Sequence, residues 1–516
     1  MKLLHVLKAL FRWPPGNFLK TLLAVLGIAV VGLAGWRAVV WFTPEAHPSC
    51  GPPGVARYGE ADECVGVTDG SYTFAPYLKD VTGRIHTANA SVVKDAARHP
   101  YATVALMIPM IADSGTDQQQ ILEEVQGAYA AQWRANHSDN TATPPIRLVL
   151  ANPGRGYAEG EKVSDQLARM ARSGKDSLRA VAGFNLSQDA TKRTIRRLTR
   201  TYGIPVVEGP VTADDLSNTA ADPNRFPNLV RVAPDNKDQA TALARYRKAD
   251  PGEAMIVEDS RTDDPYINTL KRAFEDLAPH ARTEPYRSPE DEAAPGNLSN
   301  TFGQKLANIC VARANVIYFA GRPVQLRQFV NALGARGCPK DYTVISGSNA
   351  SLLAEDRDLD WNALKSGITV EYAALAHPEA WENRKSPPTT GGSPTDYAAF
   401  TDALRDSGLP DVRLADSRTI IAHDSVWTAI REIRNVTLGN DVTVPSLREV
   451  GAARDNMHGL TPVKGASGWI CLDNNGNAYD KAVAVVRLDP ADKKARFAGL
   501  AWPVGHPPPA DCTAPQ

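Results

Sequence analysis

The stretch that decides the fold is residues 180–234, which begin AVAGFNLSQDATKRTIRRLTRTYGIPVVEGPVTADDL and end FPNLVRVAP. A short apolar strand ends at Gly183, a turn carries Ser187, and a basic amphipathic helix covers residues 189–202. A second apolar strand follows at residues 204–207, and the next turn carries Thr212. Strand, helix and strand in this order predict a parallel sheet with crossover helices.

Ser187 and Thr212 each follow the carboxyl end of one of these two strands. Ligands of open α/β sheets bind outside the carboxyl ends of the strands, so both hydroxyls are expected to face one ligand. The alternative is that each residue is only the N-cap of the helix after it. The two roles are compatible, since a helix N-terminus also binds anions.

The composition indicates a globular protein with no polyanionic partner. A chain of 516 residues can hold two or three domains. Its formal net charge is −1, which gives no reason to expect a nucleic-acid partner. The sequence has no GxxxxGK[ST] loop, no GxSxG elbow and no HExxH pair, and its histidines are scattered. We therefore predict neither an enzyme nor a cofactor or metal site, and we interpret DNNGNAYD at residues 473–480 as a hairpin turn rather than a calcium loop.

The N-terminal region predicts a membrane anchor. Residues 1–20 are basic, and residues 21–42 are almost entirely apolar, which is long enough to span roughly 30 Å of hydrocarbon. The basic flank predicts a cytoplasmic N-terminus and an extracytoplasmic main domain at the cell membrane. A cleaved signal peptide is the alternative, but the apolar run continues past the poor cleavage site at residues 34–36. A lipoprotein is not favoured, because His47, Pro48 and Ser49 precede Cys50.

After the anchor, two runs of alternating strands and helices predict two parallel sheets. Residues 43–98 are expected to be a spacer, with a small hairpin at most. A buried strand, YATVALMIPM, begins at Tyr101 and opens the first run, and the second run follows residue 234. A long helix around IIAHDSVWTAI and a hairpin over residues 468–487 come after both runs.

The six cysteines fall as three successive pairs without metal-site spacing. In an exported protein, an even set of this kind favours disulfides. Fifteen pairings are possible, and we predict the sequential one; free thiols are the alternative for a cytosolic domain. The predicted pairs are Cys50–Cys64, Cys310–Cys338 and Cys471–Cys512.

From about residue 101 to residue 488, the chain resembles the type I periplasmic solute-binding proteins, in particular the branched-chain amino-acid binding group. The order and spacing of several segments carry this resemblance: GFNLSQDATKR, YGIPVVEGPVTADDL, FPNLVRVAPDNKDQATALA, NVIYFAGRPVQLRQFVNALGARG, AHDSVWTAI and GASGWICLDNNGNAYDKAVAVV. The resemblance implies an α/β fold of two Rossmann-like lobes that close on a ligand across a hinge. Lobe 1 would comprise residues 99–234 and 377–450, lobe 2 residues 235–376 and 451–500, and residues 501–516 would form a tail.

The resemblance also implies a ligand site between the lobes. Ser187 and Thr212, with Leu186 and Val211 beside them, match the positions that hold a ligand carboxylate, and Tyr266 matches a ligand-contacting tyrosine of lobe 2. Two positions depart from the family pattern. Ser348 stands where amino-acid binders place an acid for the ammonium group, and Arg322 replaces a second tyrosine. Arg322 would suit a further carboxylate or a phosphate on the ligand; the alternative is a solvated residue at a helix start.

Two functions follow as expectations. The first is a membrane-anchored solute-binding protein that captures an amino-acid-like or carboxylate-bearing ligand and delivers it to an ABC-type permease. The second is a sensory or protein-interaction ectodomain of the same fold that works through a signalling partner.

Overall fold

The computed structural model describes residues 50–513 apart from 52, 60, 138–142, 249–250, 291–295, 383–385, 410, 439–442, 455–456 and 458–461. The predicted cytoplasmic segment 1–20 and membrane helix 21–42 lie outside the described residues. Among the helices that are described, none combines the length and the apolar character needed to cross a membrane.

Lobe 1 is built on a seven-stranded sheet with the order β1-β2-β4-β3-β5-β6-β7. Strands β3 to β7 run parallel, whereas β1 and β2 are antiparallel additions beside β4. The elements in chain order are β1 (Val55–Tyr58), β2 (Glu63–Thr68), α1 (Lys79–Lys94), β3 (Ala102–Met107), α2 (Gly115–His137), β4 (Ile146–Asn152), α3 (Gly160–Arg172), β5 (Leu178–Gly183), α4 (Asp189–Arg196), β6 (Val206–Glu208) and β7 (Leu229–Arg231).

The central strand β3 is buried on both faces of the sheet. Val104 and Leu106 belong to one hydrophobic core, and Ala105 and Met107 belong to the core on the opposite face. Successive side chains of a strand point to opposite faces, so a strand covered by helices on both sides needs a continuous apolar run. This requirement explains the unbroken YATVALMIPM segment of the sequence.

The expectation that residues 43–98 form a spacer is wrong for the described part of that segment. Strand β2 pairs with β4, with Gly66 opposite Asn152. Helix α1 buries Val81 and Ile85 in the lobe 1 core, and Asn89 donates a hydrogen bond to the carbonyl of Leu148 on β4. The segment is therefore a layer of lobe 1.

Lobe 2 repeats the α/β pattern around a second seven-stranded sheet, with the order β16-β15-β12-β11-β10-β8-β9. Strands β12, β11, β10, β8 and β9 are parallel. The elements are α5 (Asn236–Arg247), β8 (Ala254–Asp259), α6 (Pro265–Leu277), β9 (Arg282–Tyr286), α7 (Leu298–Val311), β10 (Val316–Ala320), α8 (Pro323–Gly334), β11 (Tyr342–Ser346), α9 (Trp361–Lys365) and β12 (Ile368–Ala374).

After β12 the chain returns to lobe 1 before it re-enters the second sheet. The returning helices are α10 (Pro394–Asp406), α11 (Arg418–Thr437) and α12 (Leu447–Ala453), and the strands that follow are β13 (Val463–Gly465), β14 (Gly468–Ile470), β15 (Val483–Asp489) and β16 (Lys494–Ala501). Helix α11 packs against β3, β5 and β6. Its buried Ser425 accepts a hydrogen bond from the amide of Gly183 (3.0 Å) and donates one to the carbonyl of Val207 (2.9 Å). One side chain thus joins the ends of β5 and β6.

The hairpin expected over residues 468–487 is present only around its turn, where Leu472 and Ala478 form an antiparallel bridge and the Tyr479 amide donates to the Cys471 carbonyl at 2.6 Å. The Asp473 amide donates to the Asn477 carbonyl at 2.8 Å, and Gly476 has a φ of +83°. The flanking strands do not pair with each other, because β14 pairs with β13 whereas β15 pairs with β12 and β16. The turn depends on hydrogen bonds between near neighbours. The pairing of the flanking strands depends on segments that are distant in the sequence.

All three predicted disulfides are confirmed. Their Cα–Cα distances are 5.9 Å for Cys50–Cys64, 5.9 Å for Cys310–Cys338 and 5.3 Å for Cys471–Cys512. The last bond ties the C-terminal segment to the turn region after β14, and Cys512 is fully buried.

Candidate functional site

The candidate site lies where the carboxyl ends of strands from both sheets meet. Strands β5 and β6 supply the loops of lobe 1, and the adjacent strands β8, β10 and β11 supply those of lobe 2. Helices α4, α6 and α8 begin directly after three of these loops. Since a helix N-terminus carries partial positive charge, this arrangement favours a negatively charged group between the lobes.

In lobe 1, the two predicted residues are in direct contact. The Ser187 hydroxyl accepts hydrogen bonds from the backbone amides of Thr212 (3.2 Å) and Ala213 (3.3 Å). Helix α4 has Gln188 at its N-cap, with no side-chain capping bond. The interpretation of Ser187 as only a cap for its own helix is therefore wrong, because its hydroxyl binds the neighbouring loop.

A buried network positions the loop that carries Ser187. Asn185 donates from its side chain to Glu124 (2.7 Å) and from its backbone amide to the Tyr157 hydroxyl (3.1 Å). Arg418 at the start of α11 donates to the other oxygen of Glu124 at 2.9 Å. Burial raises the pKa of Glu124, and the Arg418 guanidinium opposes that effect.

The two remaining lobe 1 positions have different surroundings. The Val211 side chain is fully buried in the lobe 1 core, and Leu186 packs against the same core from a half-buried position. Any ligand contact at Val211 would therefore have to come from its backbone.

Thr212 also connects the two lobes through Asn236, the first residue of α5. The Asn236 amide donates to the Thr212 carbonyl at 2.8 Å. The Asn236 side chain donates to the Tyr266 carbonyl (3.0 Å) and to the Thr269 hydroxyl (2.8 Å). The residue is completely buried, so it links a predicted site residue of lobe 1 to one of lobe 2.

In lobe 2, Arg322 forms a bidentate ion pair with Asp264. Its Nε donates to Oδ2 at 2.8 Å, and its Nη2 donates to Oδ1 at 2.9 Å. The Arg322 side chain is 9% exposed, and that of Asp264 is 0% exposed. This burial shows that the alternative for Arg322, a solvated residue at a helix start, is wrong.

Arg322 also contacts lobe 1 and the predicted tyrosine. Its Nη2 lies 3.4 Å from the Ser187 carbonyl oxygen, to which it donates. Its guanidinium carbon lies 4.9 Å from the centre of the Tyr266 ring, which is a cation–π distance. The guanidinium thus occupies the boundary between the lobes.

Tyr266 and Ser348 complete the lobe 2 side of the site. The Tyr266 hydroxyl accepts a hydrogen bond from the Asn349 amide (3.4 Å) and interacts with the Ser348 side chain. Burial raises the pKa of Tyr266 to about 12, so its hydroxyl stays protonated at neutral pH. The Ser348 amide donates to the side chain of Gln239 on α5 at 3.1 Å.

The structure brings together Ser187, Thr212, Tyr266, Arg322 and Ser348, and it adds residues that the sequence reasoning missed. The most important addition is Asp264, which supplies lobe 2 with a buried acid although Ser348 stands at the expected position. Its sequence signal was available in DDPY, where an acid directly before proline is typical of an N-cap. Asp264 does cap α6, by accepting from the Ile267 amide at 3.1 Å.

Solved structures similar to this chain are solute-binding proteins of ABC transporters. One, from Desulfitobacterium hafniense in complex with leucine, has a TM-score of 0.54 at 16% identity and covers 77% of this chain and 99% of its own. A leucine-binding protein from Thermotoga maritima has a TM-score of 0.55 at 16% identity, with 78% and 98% covered. A solute-binding protein from Rhodopseudomonas palustris in complex with p-hydroxybenzoic acid has a TM-score of 0.53 at 16% identity, with 79% and 98% covered.

No protein-family model matches the chain, and no curated protein matches its sequence. At these identities the structural likeness establishes the fold alone. The expected α/β fold of periplasmic binding proteins is confirmed, and the ligand roles of the site residues stay predictions.

Proposed function

We propose that this protein captures a small carboxylate-bearing solute between its two lobes and delivers it to an ABC-type importer. The observation that carries this proposal is the contact of Arg322 in lobe 2 with the Ser187 loop in lobe 1. This contact brings a guanidinium beside the loop that carries the Ser187 hydroxyl and precedes the N-terminus of α4. Guanidinium groups, hydroxyls and helix N-termini are groups that recognise carboxylates, which supports the proposal.

The ligand would stabilise the closed conformation, in which the two lobes are in contact at the site. The site residues are nearly inaccessible here: Ser187 is 5% exposed, Thr212 1% and Tyr266 1%. A solute can enter only when the lobes separate, and it shifts the equilibrium towards closure in proportion to its preference for the closed state. We assign the protein no catalytic role.

The location we propose is the outer side of the cell membrane, with residues 21–42 as a retained anchor. Three disulfides support an oxidising compartment for the main domain. An epitope-accessibility assay on intact cells, with tags at either end of the chain, tests this placement. Access to the N-terminal tag from outside the cell would contradict it.

A second candidate function is a ligand-sensing or protein-interaction ectodomain without a role in transport. The observation in its favour is that the Arg322–Asp264 pair fills the lobe boundary with the chain's own charged groups. In that case the lobes would stay closed without a solute, and a partner protein would bind their outer surface.

A thermal-shift screen of the full-length protein separates these functions. The panel contains amino acids, hydroxybenzoates, and aliphatic mono- and dicarboxylates. A ligand at 100 times its Kd should add about 2.7 kcal/mol of stability, and the double variant Ser187→Ala with Thr212→Ala should abolish that gain. Ser164→Ala is the matched control, since Ser164 is a buried serine outside the site. The absence of a shift with every compound would contradict the solute-binding proposal and favour the second function.

A further inference from the structure

The Arg322–Asp264 pair carries an inference about the ligand, which rests on the proposed function. Asp264 is an acid beside Tyr266 in lobe 2, and its carboxylate accepts three hydrogen bonds from donors of this chain. Oδ1 receives the Ile267 amide and Arg322 Nη2, and Oδ2 receives Arg322 Nε. A ligand ammonium group that approached this carboxylate would meet a guanidinium already bound there.

Displacing Arg322 from Asp264 is unfavourable for two reasons. The Arg322 side chain is buried, and its guanidinium would lose both charge-assisted hydrogen bonds at once. It would also leave its position 4.9 Å above the Tyr266 ring. A ligand ammonium group on Asp264 would replace only part of the lost interaction energy, because it cannot make the same bidentate contact with a carboxylate.

We propose that Arg322 determines ligand specificity by taking the place of an amino-acid ligand's ammonium group on Asp264. The wild-type site therefore selects carboxylates that lack an α-ammonium group. The ligand carboxylate lies against the Ser187 and Thr212 loops, where Arg322 already reaches the Ser187 carbonyl. An amino acid offers the same carboxylate but brings an ammonium group that would have to displace Arg322 from Asp264.

The test uses pairs of probes that differ only in the ammonium group. L-leucine is compared with 4-methylpentanoate, and L-phenylalanine with 3-phenylpropanoate, by isothermal titration calorimetry on the full-length protein. The wild type should bind each acid about 10- to 100-fold more tightly than its amino acid, which is the effect of one charge-assisted hydrogen bond.

Arg322→Gln should invert this preference, because it releases the Asp264 carboxylate for a ligand ammonium group. Arg322→Lys retains a cation beside Asp264 and should retain the preference for the acid. The double variant Arg322→Gln with Asp264→Asn removes both charges and should gain no affinity for the amino acids. Circular dichroism and thermal unfolding establish that each variant is folded; if Arg322→Gln is not, then Arg322→Met replaces it and should invert the preference in the same way.

The outcomes separate this inference from the proposed function. If the wild type binds the acids and Arg322→Gln keeps the wild-type preference, the inference is overturned and the proposed function stands. If the wild type binds neither series but Arg322→Gln binds the amino acids, Arg322 does occupy the ammonium position, and solute capture by the wild type is overturned. If no folded variant binds any probe, both are overturned.

Discussion

The hydroxyl oxygen of Ser187 lies 3.2 Å from the backbone nitrogen of Thr212 and accepts its hydrogen bond. The two residues are 25 positions apart in the chain and follow neighbouring parallel strands. Because the carboxyl ends of parallel strands share one edge of the sheet, the loops meet there. This contact joins the two lobe 1 segments that we propose hold a ligand carboxylate.

Replacing Ser187 by alanine should destabilise the ligand-free protein. The change removes one hydroxyl that accepts from two buried amides, and a buried polar group without a partner costs about 1–3 kcal/mol. Urea unfolding measures the change. Ser164→Ala provides the comparison, since the Ser164 hydroxyl only donates to the carbonyl four residues earlier in α3. Equal losses in both variants would contradict the special role of Ser187.

The buried ion pair between Arg322 and Asp264 should matter far more for stability than an exposed one. Asp264→Asn keeps a residue that can cap α6 but leaves the guanidinium without its carboxylate, which costs about 3–5 kcal/mol for a buried pair. Glu355→Gln is the control, because Arg413 and Glu355 form an ion pair between the lobes with side chains 48% and 47% exposed. That change should cost less than about 1 kcal/mol. Similar values for the two variants would show that Arg322 tolerates the loss of its partner.

Tyr266 is positioned by close packing against Gly347, so a methyl group there should disturb the site. A Cβ at Gly347 would lie 2.7 Å from the Tyr266 hydroxyl oxygen and 3.2 Å from a methyl of Leu270. We expect Gly347→Ala to lower the free energy of unfolding by about 1–3 kcal/mol through overpacking. Gly337→Ala has no heavy atom within 4 Å of the new Cβ and should be nearly neutral. A neutral Gly347→Ala would mean that the Tyr266 ring is free to move.

Glu208 at the end of β6 should make stability depend on pH. Burial raises its pKa to about 8, although the Arg231 guanidinium, 3.4 Å away, opposes the shift. The folded protein therefore keeps this proton up to about pH 8, whereas the unfolded chain releases it near pH 4.3. Glu208 therefore adds to the free energy of unfolding at low pH, and this contribution is lost as the pH rises from about 4 to 8.

Glu208→Gln should remove this part of the pH dependence. The free energy of unfolding of both proteins is measured at pH 5 and at pH 8.5. The decrease between these two values should be smaller in the variant than in the wild type, and the difference should be on the order of a few kcal/mol. Glu275→Gln, a change at an exposed residue of α6, should leave the wild-type slope in place. An unchanged slope in Glu208→Gln would show that Arg231 keeps Glu208 ionised at neutral pH.

The local sequence pattern predicted the features that depend on near neighbours. The apolar runs, the turns with Ser187 and Thr212 and the long α11 helix all lie where the periodicity indicated. The spacer interpretation was wrong because it gave too little weight to the helical spacing of Leu78, Val81 and Ile85. These three residues pack into the lobe 1 core.

Features that depend on distant partners could not be predicted from the pattern. Asp264 and Arg322 are 58 positions apart, and only the sheet order places their loops side by side. The same holds for Ser425, which reaches from α11 to the ends of β5 and β6. The sequence alone therefore suggests that the lobe 2 side of the site lacks an acid, whereas the fold brings Asp264 to it.

A crystal structure of the full-length protein grown with saturating 4-methylpentanoate tests the central claim most directly. Solute capture predicts the ligand carboxylate within hydrogen-bond distance of the Ser187 or Thr212 loop and beside the Arg322 guanidinium, with the Arg322–Asp264 pair retained. Two results would contradict the claim: 4-methylpentanoate bound away from the lobe boundary, or no bound 4-methylpentanoate between lobes that are closed by the Arg322–Asp264 pair.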